Sequence, residues 1–444
     1  MNPLAVELNT VLENSVAGRL LSSLGRRLYF PRGIIAQAAE AKKTASINAT
    51  LGMAYQSGKP LIFSALAEKL PALTAAEAVN YAPTAGVEDF RRGWKEAMLR
   101  KNPSIPRSVS MPAVVPGITA GISFVADLFL DEGQTMLGPA PAWDNYSLIF
   151  NERRGAVYQG IPLFSGGEAE SAPAGLNRTA LREAVQNAAR SGTVRIIFNF
   201  PHNPSGYTPT PGEADFLAAE LRQAAESGAA VLAVFDDAYF GFFYEDSIKE
   251  SLFGRFAGLH KNILAVKIDG PTKEDYVWGL RTAFVTFGCA AFDPAIYEAL
   301  EKKMMGQIRS AVSCSNTPAQ HLTLQLMNDK QSEVERIEYF SLLKNRYLEV
   351  KKCIAAQACP AVLEALPFNS GYFMAFRCKG ISAEVLRREL LKKGIGTIAL
   401  GEDFLRITFA SLEHLRVPNK SGAPAESEIS LVYKAIYECA SALG

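Results

Sequence analysis

The run Thr193-Val194-Arg195-Ile196-Ile197-Phe198-Asn199-Phe200, emptying into Pro201-His202-Asn203-Pro204-Ser205-Gly206, decides the fold. A short stretch this rich in β-branched and aromatic residues, closed by Pro and Gly, reads as a buried strand followed by a turn. The pattern recurs downstream. Ala229–Phe235 runs into Asp236-Asp237-Ala238-Tyr239, Ile263–Ile268 runs into Asp269-Gly270-Pro271-Thr272-Lys273, and a fourth run covers Thr282–Phe287. Between the first two lies a well-signalled helix. Thr210 is its N-cap, Pro211 its first residue and Glu213 the partner in a capping box, while Phe216, Leu217, Leu221 and Ala224 share one face. Strands alternating with helices from about Val114 to Phe287 predict α/β architecture on a largely parallel, buried sheet.

Working outward, the 444-residue chain exceeds the roughly 250–300 residues at which one core stops growing, so more than one domain is expected. Beyond Pro318 the pattern changes to a long helical region (His321–Cys353), a strand (Gly371–Arg377), a helix (Ala383–Lys393), a strand (Phe404–Phe409) and a closing helix (Glu426–Ala442), which suggests an α+β unit. We expect an N-terminal arm over 1–65 packing with the small domain, a large domain over 66–318, and a small C-terminal domain over 319–444. Ser165–Gly175 reads as a polar surface loop.

Composition excludes several classes. Hydrophobic residues at 48% and charged residues at 20% describe a folded globular chain. Forty-six Lys and Arg against 45 Asp and Glu leave a formal charge of +1, which gives no footprint for nucleic acid or an anionic membrane. Six cysteines (Cys289, Cys314, Cys353, Cys359, Cys378, Cys439) without a Cys-x-x-Cys pair read as free thiols of a reducing compartment. The four histidines show no metal-ligand spacing, so no metal is expected. No apolar run nears the ~18 residues of a membrane span, and the start of the chain lacks a signal-peptide pattern. A cytoplasmic location is the expectation.

Ligands of an open parallel sheet sit at the carboxyl ends of its strands, so the residues after each run are where chemistry belongs. Each segment alone has a plain reading: Asn203-Pro204-Ser205-Gly206 is a turn, Asp236-Asp237-Ala238-Tyr239 a capped helix start, Lys273-Glu274-Asp275 a solvated charge cluster. Their order is more informative. Asn203, then Asp236-x-Ala238-Tyr239, then Lys273, then Arg281, on successive strand ends, resembles the fold-type I aminotransferases of class I/II, nearest the aspartate and aromatic aminotransferase branch. The resemblance runs from about Phe30 to Phe409. It implies pyridoxal 5′-phosphate as cofactor, an amino acid and a 2-oxo acid as substrates, and a homodimer with shared active sites.

The resemblance also assigns roles, and each has a chemical reason. Lys273 is the Schiff-base residue, an amine that burial and a nearby cation keep nucleophilic. Asp236 faces the pyridine nitrogen, where a carboxylate keeps a proton in place. Asn203 and Tyr239 donate to the ring oxygen. Ile118 and Thr119, in Val115-Pro116-Gly117-Ile118-Thr119-Ala120-Gly121, form a phosphate turn at a helix start, with Thr272 and Arg281 completing it. Trp143 stacks on the ring. Tyr81, in Asn80-Tyr81-Ala82-Pro83, reaches the phosphate of a second subunit. Arg406 holds the substrate α-carboxylate as a planar fork, and Gly52 lies near the substrate in a segment, Ile47–Tyr55, that closes over it. Arg309 is the candidate for a distal carboxylate, although it stands two residues farther from Ser315-Asn316 than the family pattern has its arginine.

Three other departures stand out. The family usually has Ser where Gly270 stands. Glu274 and Asp275 directly after the lysine are unusual and are expected to point outward. Asp237 is expected to be solvated or to cap a helix. A lyase of the β-elimination type on the same scaffold would use the same anchors, whereas a non-catalytic ligand sensor would need a helix-turn-helix module for which the chain has no room.

Overall fold

The computed structural model describes residues 1–3, 6, 7, 10, 34–50, 52–61, 63–69, 72–165, 175–356, 358–413 and 426–444. The expected loop at 165–175 lies outside them apart from its two ends. Seven strands form the main sheet: β1 (Ala113–Val115), β2 (Thr135–Ala140), β3 (Val157–Pro162), β4 (Thr193–Asn199), β5 (Ala230–Asp236), β6 (Ile263–Asp269) and β7 (Ala283–Gly288). Their order is β1-β7-β6-β5-β4-β2-β3. Only β7 runs against its neighbours, pairing antiparallel with both β6 and β1. The fourth apolar run of the sequence is therefore the one reversed strand of a mixed, mostly parallel sheet.

The central strands are buried on both faces, as their unbroken apolar runs require. Helix α1 (Glu88–Lys101) and helix α2 (Ile118–Phe129) come before them, and α3 (Pro211–Glu226) joins β4 to β5. In α3 the Thr210–Glu213 capping box forms as expected, and Leu217, Leu221 and Ala224 turn inward. Phe216 stays partly exposed beneath the guanidinium groups of Arg178 and Arg182. Helix α2 lies against the sheet at Gly121, where a Cβ would stand 2.9 Å from Ile268 Cγ2.

Helices α4 (Pro294–Ala311), α5 (Thr317–Met327) and α6 (Lys330–Ala355) follow. The long helical region expected from His321 is made of two helices. Asn328 caps the end of α5, and the Asp329 side chain accepts from Ser332 N to start α6. Short polar side chains that compete for backbone hydrogen bonds broke the run. A second sheet, ordered β8-β9-β11-β10, contains β8 (Leu363–Ala365), β9 (Phe373–Cys378), β10 (Ile398–Leu400) and β11 (Phe404–Thr408), and α7 (Glu428–Leu443) closes the chain. The N-terminal segment joins this second unit. Ile47–Asn48 pairs in parallel with Ile395–Gly396, and Gln37 exchanges hydrogen bonds with the Ala399 backbone.

Candidate active site

The carboxyl ends of β4, β5 and β6 open on one cleft. Register places Asn199 beside Asp236 and Asp236 beside Ile268. Ile118, Thr119, Trp143, Asn203, Asp236, Tyr239, Thr272, Lys273 and Arg281 line this cleft together with Asn199 and Ala238. Nine of the thirteen residues singled out in the sequence therefore converge. Their chemistry sorts into two ends.

At the inner end is Asp236, 3% exposed. Tyr146 Oη donates to its Oδ2 at 2.6 Å, and Ala238 N donates to Oδ1 at 3.2 Å. Burial pushes this carboxyl up to about 6, opposed by the Tyr146 donor and by Lys273. Asn199 Nδ2 donates to the Asp236 carbonyl at 2.9 Å and its Oδ1 accepts from Asn203 N at 2.8 Å, so the two strand ends share one network. Desolvation pushes Lys273 down to about 8; Asp236 opposes the shift and Arg281 adds to it. Its Nζ stands 5.0 Å from the centre of the Tyr239 ring.

At the outer end, Gly117 (φ +95°) leads into α2, and a Cβ there would collide with the Arg281 guanidinium. The guanidinium, itself on a left-handed residue (φ +53°), thus rests on the positive end of a twelve-residue helix, beside Thr119 and Thr272. That is an anion cradle of backbone N–H groups, hydroxyls and a fixed cation. A pyridoxal phosphate fits the whole: an acid-bearing ring pocket, an amine, and a phosphate seat in one cleft. The departure at Gly270 has a steric cause. A Cβ there would lie 2.8 Å from Thr282 O and Ala283 Cα, so β7 passes too close for a serine.

Arg406 leaves β11 buried at 3% exposure. Its Nη1 donates to Asn203 Oδ1 at 3.2 Å and its Nη2 to Thr50 O at 3.3 Å, and its Nε has no protein partner. Gly52 is exposed two residues beyond Thr50. Tyr81, 90% exposed, and Arg309, exposed in the last turn of α4, do not line the cleft of the single chain.

Two expectations need correction. Asp237 is neither solvated nor a helix cap: it is 4% exposed, accepts from Ser251 Oγ at 2.6 Å and faces Lys267 Nζ at 2.9 Å. Lys267, 1% exposed, also meets Asp269 Oδ2 at 2.5 Å. Asp275 does not point into solvent either. It is 2% exposed and bound by Arg336, while Glu274 pairs with Lys101 at 2.6 Å. Both turn away from the cleft, but into the protein. Tyr146, Asn199 and Lys267 were missed by sequence reasoning. Tyr146 lies three residues after Trp143 and its ring meets that indole edge-on at 5.6 Å, so proximity in the chain was a usable signal; Lys267, inside an apolar strand, carried no such signal.

A mixed doubly wound sheet with this cleft at its strand ends defines a transferase scaffold of fold type I. The family model for aminotransferase class I and II matches residues 46–418, and the chain belongs to that family, whose members depend on pyridoxal phosphate. Among curated proteins, a mitochondrial aspartate aminotransferase of Dictyostelium discoideum is 29% identical over 209 residues, 45% of this chain and 46% of that protein. The match thus spans just under half the relative's length. Among solved structures, an Anaerococcus prevotii aminotransferase superposes with TM-score 0.78 at 21% identity, covering 94% of this chain and 98% of the other. A multiple substrate aminotransferase of Thermococcus profundus gives 0.76 at 16%, covering 96% and 99%. Among the described residues no helix is long and apolar enough to cross a membrane and no group of side chains is placed to hold a metal.

Proposed function

We propose that the chain is a pyridoxal-phosphate-dependent aminotransferase that moves the amino group of an L-amino acid to a 2-oxo acid such as 2-oxoglutarate by a ping-pong mechanism. The observation that carries this reading is that Lys273 and Asp236 open on the cleft whose outer wall is the α2 N-terminus under Arg281. When bound, the cofactor supplies an aldehyde for the amino group and a ring that spreads the negative charge left when the α-proton departs.

Asp236 holds a proton at the ring nitrogen, and Tyr146 keeps that carboxylate oriented. Asn203 and Tyr239 donate toward the ring oxygen, and Trp143 covers one ring face. Ile118 N, Thr119, Thr272 and Arg281 bind the phosphate. Lys273, its ammonium pushed down to about 8 by burial, would hold the cofactor's aldehyde end, and its Nζ is the group that would take and return the substrate's α-proton. Arg406 binds the α-carboxylate and, with Asn203, orients the Cα–H bond toward the amine. The segment around Gly52 shields that end from water.

A homodimer in the cytoplasm completes the proposal. Tyr81 follows the exposed Val79, and its neighbour Ala82 donates to Thr317 Oγ1 at 2.9 Å, which supports a face where a second copy receives Tyr81 at its phosphate and Arg309 at its substrate. The division into 1–65, 66–318 and 319–444 is supported by the two sheets and by the pairing of the N-terminal segment with the second of them.

The test is reconstitution with pyridoxal phosphate. Incubation with an amino acid alone should convert the cofactor to its amine form in one equivalent. Catalytic release of ammonia or pyruvate would instead identify a lyase. A donor panel with 2-oxoglutarate, comparing wild type with Arg309→Ala, reads whether acidic donors need that arginine.

A further inference from the structure

The chain from Lys273 onward is held by contacts that have no part in binding cofactor or substrate. Lys273 sits in the single helical turn Pro271–Glu274, and Tyr276 leaves that turn at φ +55°, a conformation a bulky residue adopts only where its surroundings enforce it. Four rings do so. Phe63, Trp278, Tyr339 and Phe242 stand 5.6, 5.8, 5.2 and 6.3 Å from the Tyr276 ring centre. Between Lys273 and Tyr276, Asp275 Oδ1 accepts from Arg336 Nε at 3.1 Å and from Nη2 at 2.7 Å. The same guanidinium stacks 5.4 Å over Phe63, and Tyr372 Oη donates to the Lys273 carbonyl at 3.3 Å.

Arg336 belongs to α6, and so does Arg346, ten residues on. Arg346 is fully buried; its Nη1 donates to Ala410 O at 2.5 Å and its Nη2 meets Glu413 at 3.3 Å. Ala410 lies four residues after Arg406. One helix therefore grips the loop of the amine at one point and the chain leaving the carboxylate-binding arginine about 15 Å along its axis. An α-amino acid must bridge those two groups, so their separation decides whether the Cα–H bond meets the amine.

We infer that Arg336 is a positioning residue: through Asp275 it pins the Lys273 loop to α6, the helix that also anchors the Arg406 strand, so that α6 sets the amine-to-guanidinium distance. The inference rests on the assignment of Lys273 as the attachment point. Asp275 acts through geometry here, since the charges that shift Lys273 are Asp236 and Arg281.

The test first treats wild-type apoprotein with pyridoxal phosphate and borohydride and maps the label by peptide analysis. A label elsewhere than Lys273 would overturn the assignment itself, before any variant is made. Arg336→Ala, Asp275→Ala, the double variant and Arg336→Lys are then compared well below their unfolding temperatures. Expected for each alanine variant is a rate of borohydride-fixable attachment lower on the order of 10- to 100-fold, with kcat falling more than KM changes. The double variant should be no slower than the slower single one, and Arg336→Lys should recover part of the rate. Unchanged attachment rates with lowered thermal stability, or losses that multiply in the double variant, would overturn the inference. Should the alanine variants fail to fold, Asp275→Asn and Arg336→Gln carry the same readouts.

Discussion

Arg406 Nη1 donates to Asn203 Oδ1 at 3.2 Å, so the guanidinium of the second sheet rests on the turn leaving β4 of the first. The substrate subsite is thus assembled across the two sheets. Replacing the planar fork by a point charge removes paired bonds to a carboxylate. Arg406→Lys should lower kcat/KM by about 3 kcal/mol, on the order of 100-fold, and mostly through KM. The visible band of the bound cofactor should be unchanged, because Arg406 stands outside the ring pocket. Steady-state kinetics beside an absorption spectrum checks both halves.

Tyr146 is the main side-chain donor to Asp236, at 2.6 Å. Its ring packs on Trp143, Phe150 and Tyr158, so Tyr146→Phe should fold normally. A hydrogen bond to a charged group contributes about 1.5–3 kcal/mol. Its loss favours the protonated carboxyl and raises a pKa already lifted to about 6 by burial. Holding a proton at the ring nitrogen needs the ionised form, so the acid limb of cofactor binding should move to higher pH. Cofactor titrations across pH 5–8 measure the shift.

The amine offers a second pH test. An ammonium brought from 10.5 to about 8 is roughly one quarter neutral at pH 7.5, against about 0.1% for an ordinary lysine. Only the neutral amine attacks an aldehyde. The rate of cofactor attachment to apoprotein should therefore rise with pH and level off above a midpoint near 8. Asp236→Ala removes the charge that opposes the shift, so the midpoint should fall further. Stopped-flow absorbance at a series of pH values reads it directly.

How far the sequence led is visible in these residues. Strand runs ending in turn chemistry announced β4, β5 and β6, and an open parallel sheet gathers whatever follows such strands, so Asn203, Asp236, Lys273 and Arg281 were legible as one set. Lys267 and Asp237 were not. A lysine inside an apolar run and a second aspartate beside a first show their burial only when register brings β5 and β6 side by side. Asp275 was misread for a related reason: its partner Arg336 is 61 residues away in the chain. The break between α5 and α6 inside the expected helical region is written locally, in Asn328-Asp329.

Gly270 turns a sequence departure into a steric test. The serine usual in the family would put a Cβ 2.8 Å from the backbone of β7. Gly270→Ser should therefore not restore a phosphate donor. It should cost about 1–3 kcal/mol in urea unfolding, the range for overpacking, and weaken cofactor binding by displacing Thr272. Tighter cofactor binding in this variant would show that the loop has room to spare.

Lys267 gives the strongest stability prediction. Its ammonium is shared by Asp237 at 2.9 Å and Asp269 at 2.5 Å, and Trp94 Nε1 adds a donor to Asp269 at 3.2 Å. Burial raises the Asp237 carboxyl, and Lys267 is the chief force holding it down. Lys267→Met keeps the volume and removes the cation, which leaves the buried Asp237 carboxyl without the charge that holds it down, so burial raises it further. Below the ordinary value of 3.8 that carboxyl is protonated in the folded and unfolded chains alike, so the variant should cost little there. As pH rises the unfolded chain releases that proton and the folded chain does not, so stability must fall. The loss relative to wild type should grow from pH 5 to pH 8 and reach about 3–5 kcal/mol, the usual range for an uncompensated buried charge. Urea unfolding at the two pH values, with Lys267→Met/Asp237→Asn as a variant that should flatten the pH dependence, measures that difference.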